Sequence, residues 1–477
     1  MSVPAPLRLR WWAAAALLSL SLSGEAADFG PAVDRYLQTE MHTQHIPGIA
    51  LAVLKDGRPL YVKGYGVATL EHTVAVAPST VFQLGSIGKQ FTAVAVMMLA
   101  DEHKLNLDDP VSKYLPEVPA SWSKITLRLM LNHQAGIAQY TTPQRQLLDV
   151  SHDYSDAELI QLAISQPLDF EPGTDVSYSD VGYVLLGFVI NRVAGGFYGD
   201  FLQQRIFKPL SMKRSRIISD ADIVPGRASG YELRDDGSLR NQTPVSPALN
   251  RTADGSLYST VIDLMKWDRA LDGDGVLPQA ELQRMWSVDA HRNGQRPLYH
   301  YGYGWENNHI NGHRVVEYDG NWQGFQAVMS RYTDEKLTVI LLTNLALCRT
   351  ERLGHTVAGL VDPTFRPYPD SVADNAPALS KSFQSLLAGA QKAASGTSSP
   401  ELAASLPEPP AFIPLQTLRR DLAELGPILH FSVAADHVTL EGRTRVYRVE
   451  GKDMVEFYTV TYGRDGKLLA LELFREY

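Results

Sequence analysis

The sequence is poorest in cysteine. Cys348 is the single one in 477 residues, so no internal disulfide can form, and a catalytic thiol or a thiolate-based zinc site is not expected. Long apolar runs are missing too. Beyond the N-terminus no stretch reaches the roughly 18 residues that a membrane-crossing helix needs, which excludes a multi-pass membrane protein. Positive charge is in short supply: the net charge is -9 and no long Lys/Arg cluster occurs, so electrostatic capture of nucleic acid is not expected. Apolar residues make up 44% and charged residues 20%, an ordinary globular balance that excludes a disordered chain, a collagen-like repeat or a coiled-coil rod. No fixed-period repeat is visible.

The N-terminus reads as an address. Arg8 and Arg10 precede the apolar run Trp11 to Leu22, and small residues follow at Gly24, Ala26 and Ala27. That order describes a secretory signal peptide over 1–27, with a retained membrane anchor as the alternative. The expected location is periplasmic or secreted, with no transmembrane segment left after signal removal.

Residues 28–361 read as one mixed α/β block. Ile49 to Leu54, the turn Lys55-Asp56-Gly57 and Leu60 to Val67 predict a hairpin. Phe91 to Ala100 and Val181 to Val193 are apolar nearly all round and predict helices inside a core. Val315 to Tyr318 and Leu337 to Leu342 predict strands. Strands first, helices in the middle and strands last imply helices packed on a mainly antiparallel sheet, an α+β fold. Pro, Ala and Ser then dominate, so 362–410 reads as a linker, helical around Ala378 to Ala394. Over 411–477 come five short alternating runs: Phe431 to Val433, His437 to Leu440, Thr444 to Val449, Met454 to Tyr462 and Leu468 to Phe474. With Asp465-Gly466 as a turn, they predict a small all-β domain.

The chemistry concentrates in Phe82 to Phe91. Ser86 and Lys89 are three apart, so on a helix their side chains share a face. Ser86 sits where the helix starts, where free N–H groups and the helix dipole favour developing negative charge. A lysine able to accept a proton there would activate the serine. Ser-x-x-Lys recurs at Ser121 to Lys124, where no buried helix follows, and an N-cap serine with a solvated lysine is the plain alternative for Ser86. Downstream, Glu171-Pro172-Gly173 makes a turn and Tyr178-Ser179-Asp180 leads into the second buried helix, offering a phenol as proton shuttle. The other Tyr-Ser-Asp, Tyr154 to Asp156, carries a capping box with Glu158 and is assigned no chemistry.

Taken together and in order, Ile46-Pro47-Gly48, Lys55-Asp56-Gly57, Phe82 to Lys89, Leu107-Asp108-Asp109, Leu131-Asn132-His133 with Ala135-Gly136, Pro172-Gly173, Tyr178 to Asp180 and Gly255 to Thr260 resemble the serine β-lactamase-like superfamily. That group holds class C β-lactamases, low-molecular-weight penicillin-binding proteins, D-aminopeptidases and family VIII esterases. The resemblance covers roughly residues 30 to 350. It implies a β-lactamase/transpeptidase-like fold: an antiparallel sheet flanked by helices plus an all-helical lobe. It also implies Ser86 as nucleophile, Lys89 as its base partner and Tyr178 as general base and acid. The family's third motif falls at Tyr318-Asp319-Gly320-Asn321-Trp322. By the same resemblance the N–H groups of Ser86 and Asn321 form the oxyanion hole, and Asp180, Tyr318, Gly320 and Trp322 meet substrate.

Two departures from the family pattern bear on substrate. Tyr318 stands where a cation is usual, so no ion pair can hold a substrate carboxylate. Asp180 stands where Asn is usual and would stabilise the Lys89 ammonium, leaving more of the proton transfer to Tyr178. Both favour a neutral or amine-bearing ester or amide over a penicillin or a peptide carboxylate. A β-lactamase or D-Ala-D-Ala carboxypeptidase is the alternative among enzymes. A retired hydrolase that binds cell-wall fragments as a receptor or scaffold is the alternative outside them. No cofactor or metal is called for: Gly-x-Ser-x-Gly and His-Glu-x-x-His are absent, and His309 and His313 flank a predicted turn at Asn311-Gly312. His133 is expected to brace a loop near the site, and Trp305 and Trp322 are candidates for the cleft wall or the core.

Overall fold

Burial on both faces accounts for the unbroken apolar run near the start of the chain. In the strand Gly48–Lys55, Ile49, Leu51 and Val53 enter one core, and Ala50, Ala52 and Leu54 enter another. The reversal at Asp56 and Gly57, with φ of 51° and 66°, returns the chain as Arg58–Thr69, the predicted hairpin. In the computed structural model this hairpin belongs to a seven-stranded sheet. The spatial order is Glu306–Ile310, His313–Trp322, Phe325–Tyr332, Leu337–Thr343, Gly48–Lys55, Arg58–Thr69, Val74–Ala75, and every pairing is antiparallel. The two ends of the α+β block therefore meet at the sheet centre, where Ile49 pairs with Thr343 and Lys55 with Leu337.

The structure describes residues 29–394 and 418–476, apart from 143–144, 220, 235, 274, 295–299, 367, 369–370, 419–421, 424, 439–441 and 453–454. The expected signal segment and the stretch 395–417 lie outside the described residues. No single helix among the described residues is long and apolar enough to cross a membrane.

The helices Gly30–Gln44 and Thr350–Val361 cover one sheet face, with Tyr36, Leu37, Leu353 and Val357 packed among Ile49, Leu51 and Leu341. The other face carries Gly88–Asp101 and Asp180–Ala194, the two helices read as apolar all round. Both are enclosed between the sheet and the rest of the helical lobe, so neither needs a polar face.

The C-terminal unit is a four-stranded antiparallel meander: His430–Val438, Gly442–Glu450, Val455–Gly463, Leu468–Glu476. The runs starting at Phe431 and His437 are one strand, not two. A register shift between Val433 and Ala435 interrupts the alternation that the sequence shows. The helix Pro377–Ala394, read as part of a linker, packs on this sheet instead. Its Phe383, Leu387 and Ala390 share a core with Tyr447 and Tyr458, and Phe383 stacks on Tyr447 at 4.8 Å.

One contact positions the site. The end of the strand His313–Trp322 lies directly against the turn that carries Ser86. A Cβ on Gly320 would stand 1.9 Å from the Leu84 carbonyl oxygen, and one on Gly85, whose φ is 57°, would stand 2.5 Å from that of Asn321. Only glycine lets the two backbones approach this closely. Gly320, expected to meet substrate, also packs the strand on the turn. Gly320→Ala should therefore force strand and turn apart and destabilise the fold by about 1–3 kcal/mol or more. Thermal unfolding measures this, and an unchanged midpoint would refute the close-packing argument.

Candidate active site

Ser86 lies in a short 3-10 turn, Gly85–Ile87, that runs straight into the helix Gly88–Asp101. The spacing of three brings Lys89 back beneath it: Lys89 Nζ donates to Ser86 Oγ at 3.0 Å. Tyr178 stands two residues before the helix Asp180–Ala194, next to its cap Ser179, whose side chain accepts from the Gly182 N–H. The Tyr178 hydroxyl lies 2.7 Å from Ser86 Oγ. A local pair and one residue distant in sequence thus meet at one oxygen.

The Lys89 side chain is 0% exposed, yet each of its N–H groups has an acceptor. Besides Ser86, Nζ donates to Asp180 Oδ1 at 2.7 Å and to the Asp254 carbonyl at 2.6 Å. Three acceptors around one primary amine fit an ammonium, which has three donors and no lone pair. The same nitrogen sits 4.9 Å from the centre of the Tyr178 ring.

Burial opposes ionisation of Asp180. The Lys89 charge outweighs it, aided by hydrogen bonds from Lys89, from Tyr178 at 2.9 Å and from Gln139 Nε2 at 3.1 Å, so the carboxyl is held below the usual carboxylate range. Burial, then the nearby Asp180 charge, pushes the Tyr178 phenol well above its ordinary value. Tyr178 is therefore a neutral phenol in the resting site, donating to Asp180 with Ser86 Oγ beside it.

The third-motif residues divide. Asn321 and Trp322 line a cleft of about 750 Å³ together with Ser86 and Asp180, and Trp322 Nε1 donates to Asn250 Oδ1 at 3.2 Å. Tyr318 differs from its expected place at the substrate. It is 2% exposed, hydrogen-bonds Tyr178, and packs edge-on against Tyr301 at 5.4 Å. Tyr318 shares a strand face with Trp322 but lies further back along the strand, behind the Tyr178 hydroxyl, while the chain reaches the cleft at 321 and 322. Trp305 is a core residue.

His133 braces the site. It holds a left-handed φ of 60°, accepts from the Ser179 N–H through Nδ1 at 3.2 Å, and lies 4.7 Å from Tyr178 and 4.4 Å from Tyr301, centre to centre. Burial, then the Lys89 charge, lowers its imidazole to about 3, so it is neutral at any working pH.

Two residues escaped the sequence reading. Gln139 grips Asp180 from both ends of its amide, accepting from the Asp180 N–H at 3.1 Å as well as donating to the carboxylate. Asp254 supplies an acceptor to Lys89 and lines the cleft. Its place directly before the Gly255 to Thr260 motif was the available signal.

The discarded candidates stay apart from this site. Lys124 pairs with Glu171 at the surface, and Ser155 and Glu158 form the capping box. Asn311 and Gly312, with φ of 48° and 87°, turn the chain between His309 and His313. Among the described residues, Glu317, Glu351 and His355 have ligand atoms close enough to share a metal ion, but Glu317 points to the opposite sheet face from Tyr318 and already accepts from His355 at 2.6 Å and Ser330 at 2.7 Å.

Comparison with known proteins gives the family. The family model described as Beta-lactamase matches residues 33–355. Penicillin-binding protein 4* of Bacillus subtilis (strain 168) is 29% identical over 329 residues, covering 65% of this chain and 71% of that protein. A D-aminopeptidase of Gluconobacter oxydans (strain 621H) is 29% identical over 303 residues, 62% of this chain and 56% of that protein. The solved structure of an octameric penicillin-binding protein homologue from Pyrococcus abyssi superposes with a TM-score of 0.62 at 22% identity, covering 94% of this chain and 90% of that one. The likeness in fold thus reaches past the main block into the C-terminal unit.

The neutral buried His133 makes a stability prediction. Its folded-state pKa lies below the unfolded value, so its contribution is complete above about 6.5 and is lost as pH falls toward 3, at up to about 1.4 kcal/mol per pH unit. Between pH 7 and pH 5 the wild type should lose about 1–2 kcal/mol more than His133→Gln in urea unfolding. Equal losses would mean that His133 is charged in the folded protein.

Proposed function

The chain belongs to the beta-lactamase family of serine hydrolases, and from that premise we propose that it is an exported enzyme cleaving an ester or amide through an acyl-enzyme on Ser86. One observation carries the reading: the Ser86 hydroxyl is held between a buried ammonium at 3.0 Å and a neutral phenol at 2.7 Å. Export rests on the charged, apolar and small-residue order of 1–27.

In the proposed reaction Ser86 Oγ attacks the carbonyl carbon while its proton passes to the Tyr178 oxygen. Tyr178 at the same time passes its own proton to Asp180 Oδ1, so the phenol stays neutral, and takes it back when it protonates the leaving group. Lys89, already donating to Ser86, lowers the energy of the developing alkoxide without accepting the proton. The N–H groups of Ser86 and Asn321 are the proposed oxyanion donors, worth about 3–4 kcal/mol each. The contact of Gly85 with the Asn321 backbone supports that pairing. Tyr178 then protonates the leaving group, and water repeats the sequence to release the acyl chain.

The substrate follows from charge. With a buried tyrosine at 318 there is no cation in the third motif to pair with a substrate carboxylate. A neutral or amine-bearing ester or amide fits better than a penicillin or a peptide carboxylate. The names of the relatives, a penicillin-binding protein and a D-aminopeptidase, span that choice.

A fluorophosphonate probe should label the wild type stoichiometrically and leave Ser86→Ala unlabelled. Tyr178→Phe should lower kcat/KM by about 10²–10⁴-fold. In parallel assays p-nitrophenyl butyrate should be turned over faster than nitrocefin or a D-Ala-D-Ala peptide. Dominant nitrocefin turnover would overturn the substrate reading. No labelling by either fluorophosphonate or penicillin would favour a retired hydrolase that binds cell-wall fragments.

A further inference from the structure

Leu347, in the loop after the strand Leu337–Thr343, stands out on two counts. It is 85% exposed, and its backbone is left-handed with a φ of 61°. Water disfavours the first and the leucine Cβ disfavours the second, so glycine or asparagine is the usual occupant of such a position. The loop is pinned on both sides of it. The Ala346 N–H donates to the Tyr231 carbonyl at 3.0 Å, and the Arg349 N–H donates to Gln44 Oε1 at 3.0 Å. Leu345 is buried, and the buried Cys348 Sγ lies 3.0 Å from Thr343 Oγ1. Leu347 is thus held out from a tip with two fixed feet. It lines the same cleft as Ser86, Asn321 and Trp322. Leu233, 44% exposed, lines that cleft too. Its strand Tyr231–Leu233 is tied to the same loop, since the Tyr231 N–H donates to the Asn344 carbonyl at 3.1 Å. Two exposed leucines therefore stand on one braced wall of the cleft.

We propose that Leu347, with Leu233, is the specificity determinant that receives the acyl chain of the substrate, and that this chain is an uncharged alkyl group longer than acetyl. The inference rests on the hydrolase reading above and narrows its substrate class to esters and amides of aliphatic acids. The proton path decides which part of the substrate takes this side. Tyr178 hands its proton to the leaving group, and Tyr178 is not among the described residues that line the cleft, whereas Ser86 and the proposed oxyanion donor Asn321 are. The leaving group departs toward the phenol, so the acyl chain runs the other way, along the wall that bears Leu347. There it covers apolar surface that water meets in the free enzyme, and each methylene fully buried is worth about fourfold in binding. Backbone strain kept at the mouth of a site fits a side chain placed for a ligand. The rim also carries guanidinium groups, but Arg240 is paired with Glu232 at 2.7 Å and Arg234 bonds Ser238 Oγ at 3.1 Å, both within their own hairpin.

A chain-length series tests this. The p-nitrophenyl esters of acetate, butyrate and hexanoate keep one leaving group and lengthen only the acyl chain. Measured against hydroxide hydrolysis of the same esters, wild-type kcat/KM should rise at least about tenfold from acetate to hexanoate, and Leu347→Gly should shrink that rise at least about threefold. A rise unchanged by the substitution overturns the proposal, whatever happens to the absolute rates. So does a wild type that shows no rise, and in that case the hydrolase reading stands. The mono-p-nitrophenyl ester of adipic acid has a chain of the same length ending in a carboxylate. If it is cleaved faster than the hexanoate, the wall belongs to its arginines and the proposal is overturned. A second measurement reads the strain. Glycine suits the left-handed backbone, so Leu347→Gly should unfold at a temperature no lower than the wild type. A lower midpoint would show that packing holds Leu347 where it is, which also overturns the proposal. If no ester is cleaved and Ser86 takes no fluorophosphonate label, the hydrolase reading itself has failed and this inference falls with it.

Discussion

Lys89 is a charge inside a hydrophobic core, and the geometry of the site follows from keeping it there. A buried ammonium costs several kcal/mol unless its donors are met by well-placed acceptors. Here the acceptors come from three segments: the turn at Ser86, the helix start at Asp180 and the loop at Asp254. None of these can move without stranding a donor in the interior. The lysine therefore fixes where the serine sits relative to the second helix, and it does so before any substrate arrives.

Around this centre the aromatic residues form a rigid wall. Tyr178 is held by Ser86 and Asp180 at its hydroxyl and by the His133 ring on its flank, while Tyr318 bonds it from the strand His313–Trp322. Tyr301 touches both His133 and Tyr318. A phenol clamped at both tip and ring loses little freedom when a proton passes through it, which is what pre-organisation for a relay requires. Glycine at 320 and 85 completes the arrangement by letting the strand close on the turn.

Much of this could be read from the residues. The hairpin at Asp56-Gly57 and both buried helices carry local signals, since a left-handed turn and an all-round apolar helix each need particular residues in sequence. The meeting of Ser86 with Lys89 is also local, a matter of helical spacing. The approach of Tyr178 is not, and only the ordered motifs connected it to Ser86. What escaped depends on side-chain direction within extended or irregular segments. Tyr318 and Trp322 share one strand face, yet Tyr318 is buried behind Tyr178 and Trp322 lines the cleft, a distinction set by how far along the strand each residue stands and not by the alternation that sequence shows. Asp254 contributes a backbone oxygen, which every residue possesses, so its identity gave no hint of that contact. The Pro377–Ala394 helix has the composition of a linker because only its Phe383, Leu387 and Ala390 side faces a core.

The two cleft carboxyls show that this site was not arranged for stability. Asp180, held below its usual range by the Lys89 ion pair, adds stability above an unfolded value near 4, and that contribution is lost only as pH falls through its lower folded value. Asp254 has the opposite sign. With its folded value raised to about 6, its favourable contribution is complete below about 4 and is lost as pH rises through 6. At neutral pH it is a desolvated carboxylate with an oxygen that none of the described residues satisfies. A neutral side chain there would remove that penalty and would still leave Lys89 its bond, since Lys89 bonds the backbone of residue 254 and not its carboxyl. The bond that holds Lys89 from residue 254 is thus independent of the carboxyl, whose own partners are Thr252 and the local backbone.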